Sequence, residues 1–251
     1  MRYIIYIVLG FIPGIIWLLF YLRKDKRPEP KSMIITIFTW GMLTAPLIII
    51  AELALNWILT PTANPLTILF FGGAEVGFFK KIIAVTLVPA IAEEYIKYSV
   101  VKVKAIQHSE FDEPTDAMIY CIVSGLGFAT IENLLALFNF PYAPASKIIG
   151  IIGFRFVGAT LLHALASATI GYWLALGLLN THQRKRLILK GLALAVIFHS
   201  CYNYLILAAS PESTAQQYII MSLIAILLAA VALYISDGFR KLKEQQSICK
   251  I

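Results

Sequence analysis

The sequence predicts an all-α, polytopic membrane protein, and three observations carry that prediction: its apolar content, the spacing of its apolar runs and the placement of its positive charge. Of 251 residues, 59% are hydrophobic and only 14% charged, far from the balance of a soluble domain. Hydrocarbon offers backbone N–H and C=O groups no partners, so each crossing must be a helix of about 20 mostly apolar residues. About seven segments meet that requirement: 3–22, 33–59, 81–101, 115–138, 147–179, 187–209 and 215–236. The fifth is too long for an upright span, so it is expected to begin as an interfacial stretch or to lean strongly. Residues 70–79, apolar and glycine-rich, read as a short re-entrant or surface piece. The connections are short and polar, which predicts a single membrane domain over 1–251.

Lys and Arg set the orientation, because short basic loops are retained on the cytoplasmic side. They concentrate in alternate connections: Arg23, Lys24, Lys26, Arg27 and Lys31; Lys102 and Lys104; Arg184, Lys185, Arg186 and Lys190; then Arg240, Lys241, Lys243 and Lys250 in the tail. The opposite side holds only Arg2, Lys80, Lys81 and Lys147. The N-terminus is therefore expected outside and the C-terminus in the cytosol. The first basic cluster follows the first apolar run instead of preceding it, which argues against a cleaved signal peptide. The net charge of +7 is explained by this topology and by anionic lipid, so the bilayer is the expected partner and nucleic acid is not. Cys121, Cys201 and Cys249 form no paired pattern, which implies neither a disulfide framework nor a thiolate metal site.

An ionisable group deep in the bilayer costs several kcal/mol, so each one is a functional candidate. The candidates are Glu52, Glu93, Glu94, Lys97, Glu132, Arg155, His163 and His199. Glu93 and Glu94 interrupt an apolar helix. Lys97 lies four residues after the first and three after the second, positions from which it reaches both. A self-neutralising ion pair explains one carboxylate and leaves the other over. Glu132 stands beside the amide of Asn133, after the small residues Ser124, Gly125 and Gly127 that permit close helix contact. His163 precedes a run of small residues (Ala164, Ala166, Ser167, Ala168 and Gly171), and His199 shares a helix face with Asn203. Either histidine alone reads as a packing residue. Depth unites them: at 1.5 Å per residue, Glu93 lies about 18 Å from the outer end of its helix and His199 about 18 Å from the inner end of its own. Two imidazoles and a carboxylate are the ligand set of many catalytic zinc sites, whose open position holds an acidified water.

The order Glu93-Glu94-x-x-Lys97, Phe128-x-x-x-Glu132-Asn133, His163 with its small residues, and His199-x-x-x-Asn203 resembles the PrsW family of intramembrane proteases. That family is itself similar to the CAAX prenyl proteases and bacteriocin-immunity-type membrane proteins. The motifs cover about half the chain, and the motif-bearing core spans about 80–209. The resemblance implies a metal-dependent endopeptidase of a prokaryotic cytoplasmic membrane that cuts a single-span membrane protein, an anti-sigma factor among the candidates, in or near the outer half of the bilayer. It further implies a divalent metal of the zinc type on Glu132, His163 and His199. Glu93 or Glu94 would then act as general base, with Asn203 as oxyanion donor and Lys97 holding the second carboxylate. A rival assignment makes one of the adjacent carboxylates a ligand and Glu132 the base. Asn133, Arg155 and Glu52 are supporting candidates, the last two as an ion pair at the mouth of a polar cavity. A proton-coupled transporter and a catalytically inactive scaffold are the alternatives. No duplicated half with interrupted helices, the usual sign of alternating access, is present in the sequence.

Overall fold

In the computed structural model, residues 2–25, 27–59, 78–209 and 214–245 are described. They form eight α-helices and a one-turn 3-10 helix, with no β-strand among them. The helices are α1 (Arg2–Leu22), α2 (Lys31–Leu59), α3 (Phe78–Lys104), α4 (Pro114–Phe138), α5 (Ala145–Val157), α6 (Ala159–Leu179), α7 (Arg184–Ala208) and α8 (Thr214–Lys243). Residues 70–77 of the expected re-entrant piece lie outside the described residues.

Among the described residues, six stretches are long and apolar enough to cross a membrane, counting α5 and α6 as one. The predicted third span, α3, is not among them, because it carries Glu93, Glu94, Lys97 and two terminal pairs of lysines. It still runs 27 residues, about 40 Å, and packs between α2 and α7 with its charged face turned inward.

Sequence dictates the helix order around α4. This helix is apolar on nearly every face and is buried from Pro114 through Thr130, as a helix surrounded by others must be. It touches α6, α2, α1, α3, α5 and α8. Gly125 permits a close approach to α6: a Cβ there would stand 2.9 Å from the His163 carbonyl and collide with the Ser167 hydroxyl. The small residues of α4 thus meet the small-residue run of α6, and the two backbones pack as such pairs do in membranes. Large apolar side chains of α1, α2 and α8, among them Ile4, Ile35, Leu47, Ile226 and Leu233, point outward, where lipid takes the place of a core.

The long fifth segment is not one continuous helix. It breaks at Gly158, with φ −103° and ψ −96°, into a peripheral α5 and a buried α6. A Cβ at Gly158 would stand 2.6 Å from the Tyr202 hydroxyl and 2.8 Å from the Phe154 carbonyl. The break therefore exists where α7 crowds the chain, and only glycine fits it. Trp17 fastens the far side by donating its indole N–H to the Phe156 carbonyl at 2.9 Å.

On the basic face, an acidic group ties the first connection to α4. Asp116 accepts from the backbone N–H groups of Asp112 and Glu113 at 2.8 and 2.7 Å. Tyr120 donates its hydroxyl to Glu29. Arg27 pairs with Glu113 at 3.0 Å. Burial, with Asp116 close by, pushes the Glu29 carboxyl up to about 9. A raised folded-state value means that Glu29 stabilises the fold fully only below its unfolded value. That contribution is lost as pH rises through the folded value. Thermal unfolding in detergent should therefore show a midpoint that falls between about pH 5 and pH 9 in the wild type, and falls less in E29Q; parallel profiles would refute the assignment.

Candidate active site

α3, α4, α6 and α7 each bring one part of a single cluster. Along α3, Val85, Thr86, Pro89 and Glu93 form one stripe lining a cavity of about 420 Å³. Pro89 lacks the N–H that the Val85 carbonyl would otherwise receive, so the helix ladder is interrupted one turn before the acidic pair. Glu132, His163, His199, Tyr202 and Asn203 face the same space.

Glu93, Glu94, Lys97, His163 and His199 are between 0% and 4% exposed, so they must compensate one another. The Lys97 ammonium donates to Glu93 Oε2 at 3.0 Å and to Glu94 Oε1 at 2.9 Å. It also lies 2.7 Å from His163 Nδ1 and 4.4 Å from the centre of the Phe128 ring, a cation–π contact. One cation thus touches both acids, as the i+4 and i+3 spacing allows, and its single charge balances only one of them.

Each histidine has a carboxylate at its back. His163 Nε2 lies 2.8 Å from Glu132 Oε2, and His199 Nδ1 lies 2.8 Å from Glu94 Oε1. With Nε2–H of His163 donating to the carboxylate, its Nδ1 lone pair is left facing Lys97 and Glu93, at 2.7 and 3.7 Å. His199 Nε2 lies 3.8 Å from the same Glu93 oxygen. The two rings meet edge to face, 5.2 Å between centres.

Glu93, Glu94, His163 and His199 each offer one donor atom, all within 4.8 Å of one another. That set suits a divalent metal of the zinc type in composition. Glu94 Oε2 is buried without a hydrogen-bond partner, and a buried ammonium already sits against three of the four donors, so the pocket is built for positive charge. Glu132, expected among the ligands, lies outside this group and against the opposite nitrogen of His163. There it has the geometry of a carboxylate that orients an imidazole.

Arg155 corrects the expected ion pair with Glu52. Its Nη2 donates to Glu132 Oε2 at 3.1 Å and its Nε to Asn133 Oδ1 at 2.6 Å. The cause is the break at Gly158, which leaves α5 packed against α1, α4 and α6 but not α2. Glu52 lines the same cavity with one buried oxygen that has no hydrogen-bond partner. Asn133, fully buried, passes the chain of contacts on by donating to Thr160 Oγ1 at 3.1 Å and to the Gly10 carbonyl at 3.3 Å. Tyr202 and Pro89 were missed in the sequence reading, although each stands three or four residues from a selected one, on the same helix face.

The model of a family described as PrsW family intramembrane metalloprotease matches residues 29–232. The chain belongs to that family. Among its relatives, the Protease PrsW of Geobacillus kaustophilus is 30% identical over 203 residues, 79% of this chain and 78% of its own length. The Protease PrsW of Oceanobacillus iheyensis is 27% identical over 228 residues, 90% and 91% of the two chains. That of Bacillus subtilis is 26% identical over 206 residues, 80% and 82% of the two chains. No solved structure gives a significant match. Membership of the PrsW family, with the membrane-spanning helices, makes the chain a protease of the bacterial cell membrane. It decides against the transporter alternative.

Asn133 carries more of this site than its chemistry suggests. N133A would leave the Arg155 Nε–H and the Thr160 hydroxyl without their Asn133 partner, a loss of about 2 kcal/mol. Thermal unfolding of the purified variant should show it, and an unchanged midpoint would show that the network is dispensable.

Proposed function

We propose that this PrsW-family protease cleaves a single-span membrane protein in the outer half of the bilayer, using Glu93 as general base. The observation that carries this reading is the position of Glu93. Among the described residues, it is the one carboxylate that both lines the cavity and stands within 4 Å of the two imidazoles.

The cavity supports the placement in the outer half. Its lining comes from late α2 (Glu52), early α3 (Val85, Thr86), early α6 (Ala159, Leu162) and late α7 (Ile206, Leu207). All of these lie towards the face opposite the arginine- and lysine-rich connections. With those connections cytoplasmic, the N-terminus is outside, the C-terminus is inside and the cavity opens outward. The whole chain acts as one membrane domain, with the site-bearing core at 80–209.

Glu94, His163 and His199 would hold the divalent metal, zinc by the chemistry of the donors. When bound, such an ion acidifies water and polarises a carbonyl. Glu93 accepts the proton of the attacking water as oxygen bonds to the scissile carbonyl carbon, then returns it to the departing amide nitrogen as the C–N bond breaks. Asn203, one turn after His199 and facing the cavity, donates to the oxygen on which negative charge develops. Glu132 and Arg155 hold His163, and Glu94 holds His199, so neither ring rotates during the cycle. An anchored anti-sigma factor, the class implied by the sequence resemblance, is the first substrate to try.

E93Q keeps the shape of the site and loses the base. Incubation of the purified variant with single-span substrates should give cleavage reduced by about 10²- to 10⁴-fold, with substrate still co-purifying. Near wild-type cleavage would remove Glu93 from the role. A chelator should abolish wild-type cleavage, and added zinc should restore it; full activity in the chelator would reject the metal.

A further inference from the structure

We infer that Lys97 is an internal counter-cation which occupies two of the metal's proposed ligands, Glu94 and His163, together with the base Glu93, so that metal loading requires its displacement and Lys97 sets the affinity of the site. The inference rests on the metal assignment above and extends it to a residue that would touch neither metal nor substrate in the loaded enzyme.

Three distances carry it. The ammonium lies 3.0 Å from Glu93 Oε2, 2.9 Å from Glu94 Oε1 and 2.7 Å from His163 Nδ1. Those residues are three of the four whose donor atoms gather within 4.8 Å. A carboxylate oxygen has lone pairs to share, but an imidazole nitrogen has one. With Nε2 of His163 committed to Glu132 at 2.8 Å, Nδ1 is the nitrogen left for a cation. It can accept from the ammonium or bind a metal, not both. Charge adds a second exclusion, since a divalent ion on these donors would stand within a few ångströms of a fully buried ammonium.

The surroundings explain why a lysine suits this role. Lys97 is 1% exposed and rests on the Phe128 ring at 4.4 Å, so the ammonium has contacts besides the donors. Its four-carbon stem is flexible, and its charge is compact. Without it, the two acids of α3 would be buried with no cation to compensate them until metal arrived. Lys97 thus keeps the metal-free bundle foldable at the expense of affinity in the loaded one.

The test uses the full-length protein, purified in detergent and stripped of metal. Zinc is titrated against a competing chelator into the wild type, K97M and the pair H163A and H199A, and thermal unfolding is followed with and without zinc. K97M should bind zinc at least 10-fold more tightly than the wild type. Its metal-free unfolding midpoint should be lower, and its zinc-induced rise larger. If K97M folds only when zinc is present during expression, it should purify with one zinc per chain, and K97R, which keeps the charge, should bind no more tightly than the wild type. Equal or weaker binding by K97M, with binding abolished in H163A and H199A, would overturn the inference and leave the metal site standing. A K97M protein that folds only without metal would overturn it as well. Absence of zinc binding in every form would overturn the metal assignment and this inference together, while cleavage by the wild type would show that the protease reading survives.

Discussion

The structure depends on one piece of electrostatic compensation: two adjacent carboxylates inside a membrane bundle, answered by a lysine one turn along the same helix and by two imidazoles from other helices. Hydrocarbon gives such groups no water, so each must find its partner within the protein. Because Glu93 and Glu94 diverge around the helix, their partners have to come from different directions. This is why α4, α6 and α7 converge on α3 at this level. The small residues of α4 and α6 are the steric condition for that convergence, since they let His163 come close enough to be shared between Lys97 and Glu132.

The same compensation organises the groups behind the imidazoles. Glu132 takes one ring and Glu94 the other, and Arg155 holds Glu132 from the end of α5. A histidine fixed by a carboxylate keeps one tautomer and one orientation, which matters where an inward nitrogen must stay aimed at a single point. The break at Gly158 belongs to this arrangement. It turns the last residues of α5 onto α4, so Arg155 joins the Glu132–Asn133 network instead of pairing with Glu52 at the mouth of the cavity.

Much of this was legible in the sequence because membranes make charge conspicuous. Every residue of the central cluster was visible as an ionisable group where apolar side chains were expected, and the helix spacing already paired Lys97 with both acids. The PrsW resemblance rested on those same residues. What could not be read was the rotation of one helix against another. That rotation decides whether Glu132 faces the shared donors or the back of His163, and nothing within the Phe128–Asn133 segment encodes it. Nor could spacing within α5 reveal that Arg155 would find Glu132, because its partner depends on a break fixed by Tyr202, 44 positions after Gly158. The third span posed the opposite problem. Its charges place α3 outside the set of helices apolar enough to cross on composition, yet those charges are the reason it lies at the centre of the site.

X-ray absorption at the zinc edge, on the metal-loaded protein in detergent, tests the convergence most directly. Convergence on one ion requires a first shell of two imidazole nitrogens with carboxylate or water oxygens, at about 2.0–2.2 Å, and loss of one imidazole when either His163 or His199 is replaced. A shell made only of water oxygens, or one unchanged by both replacements, would contradict the claim that these buried groups share one point.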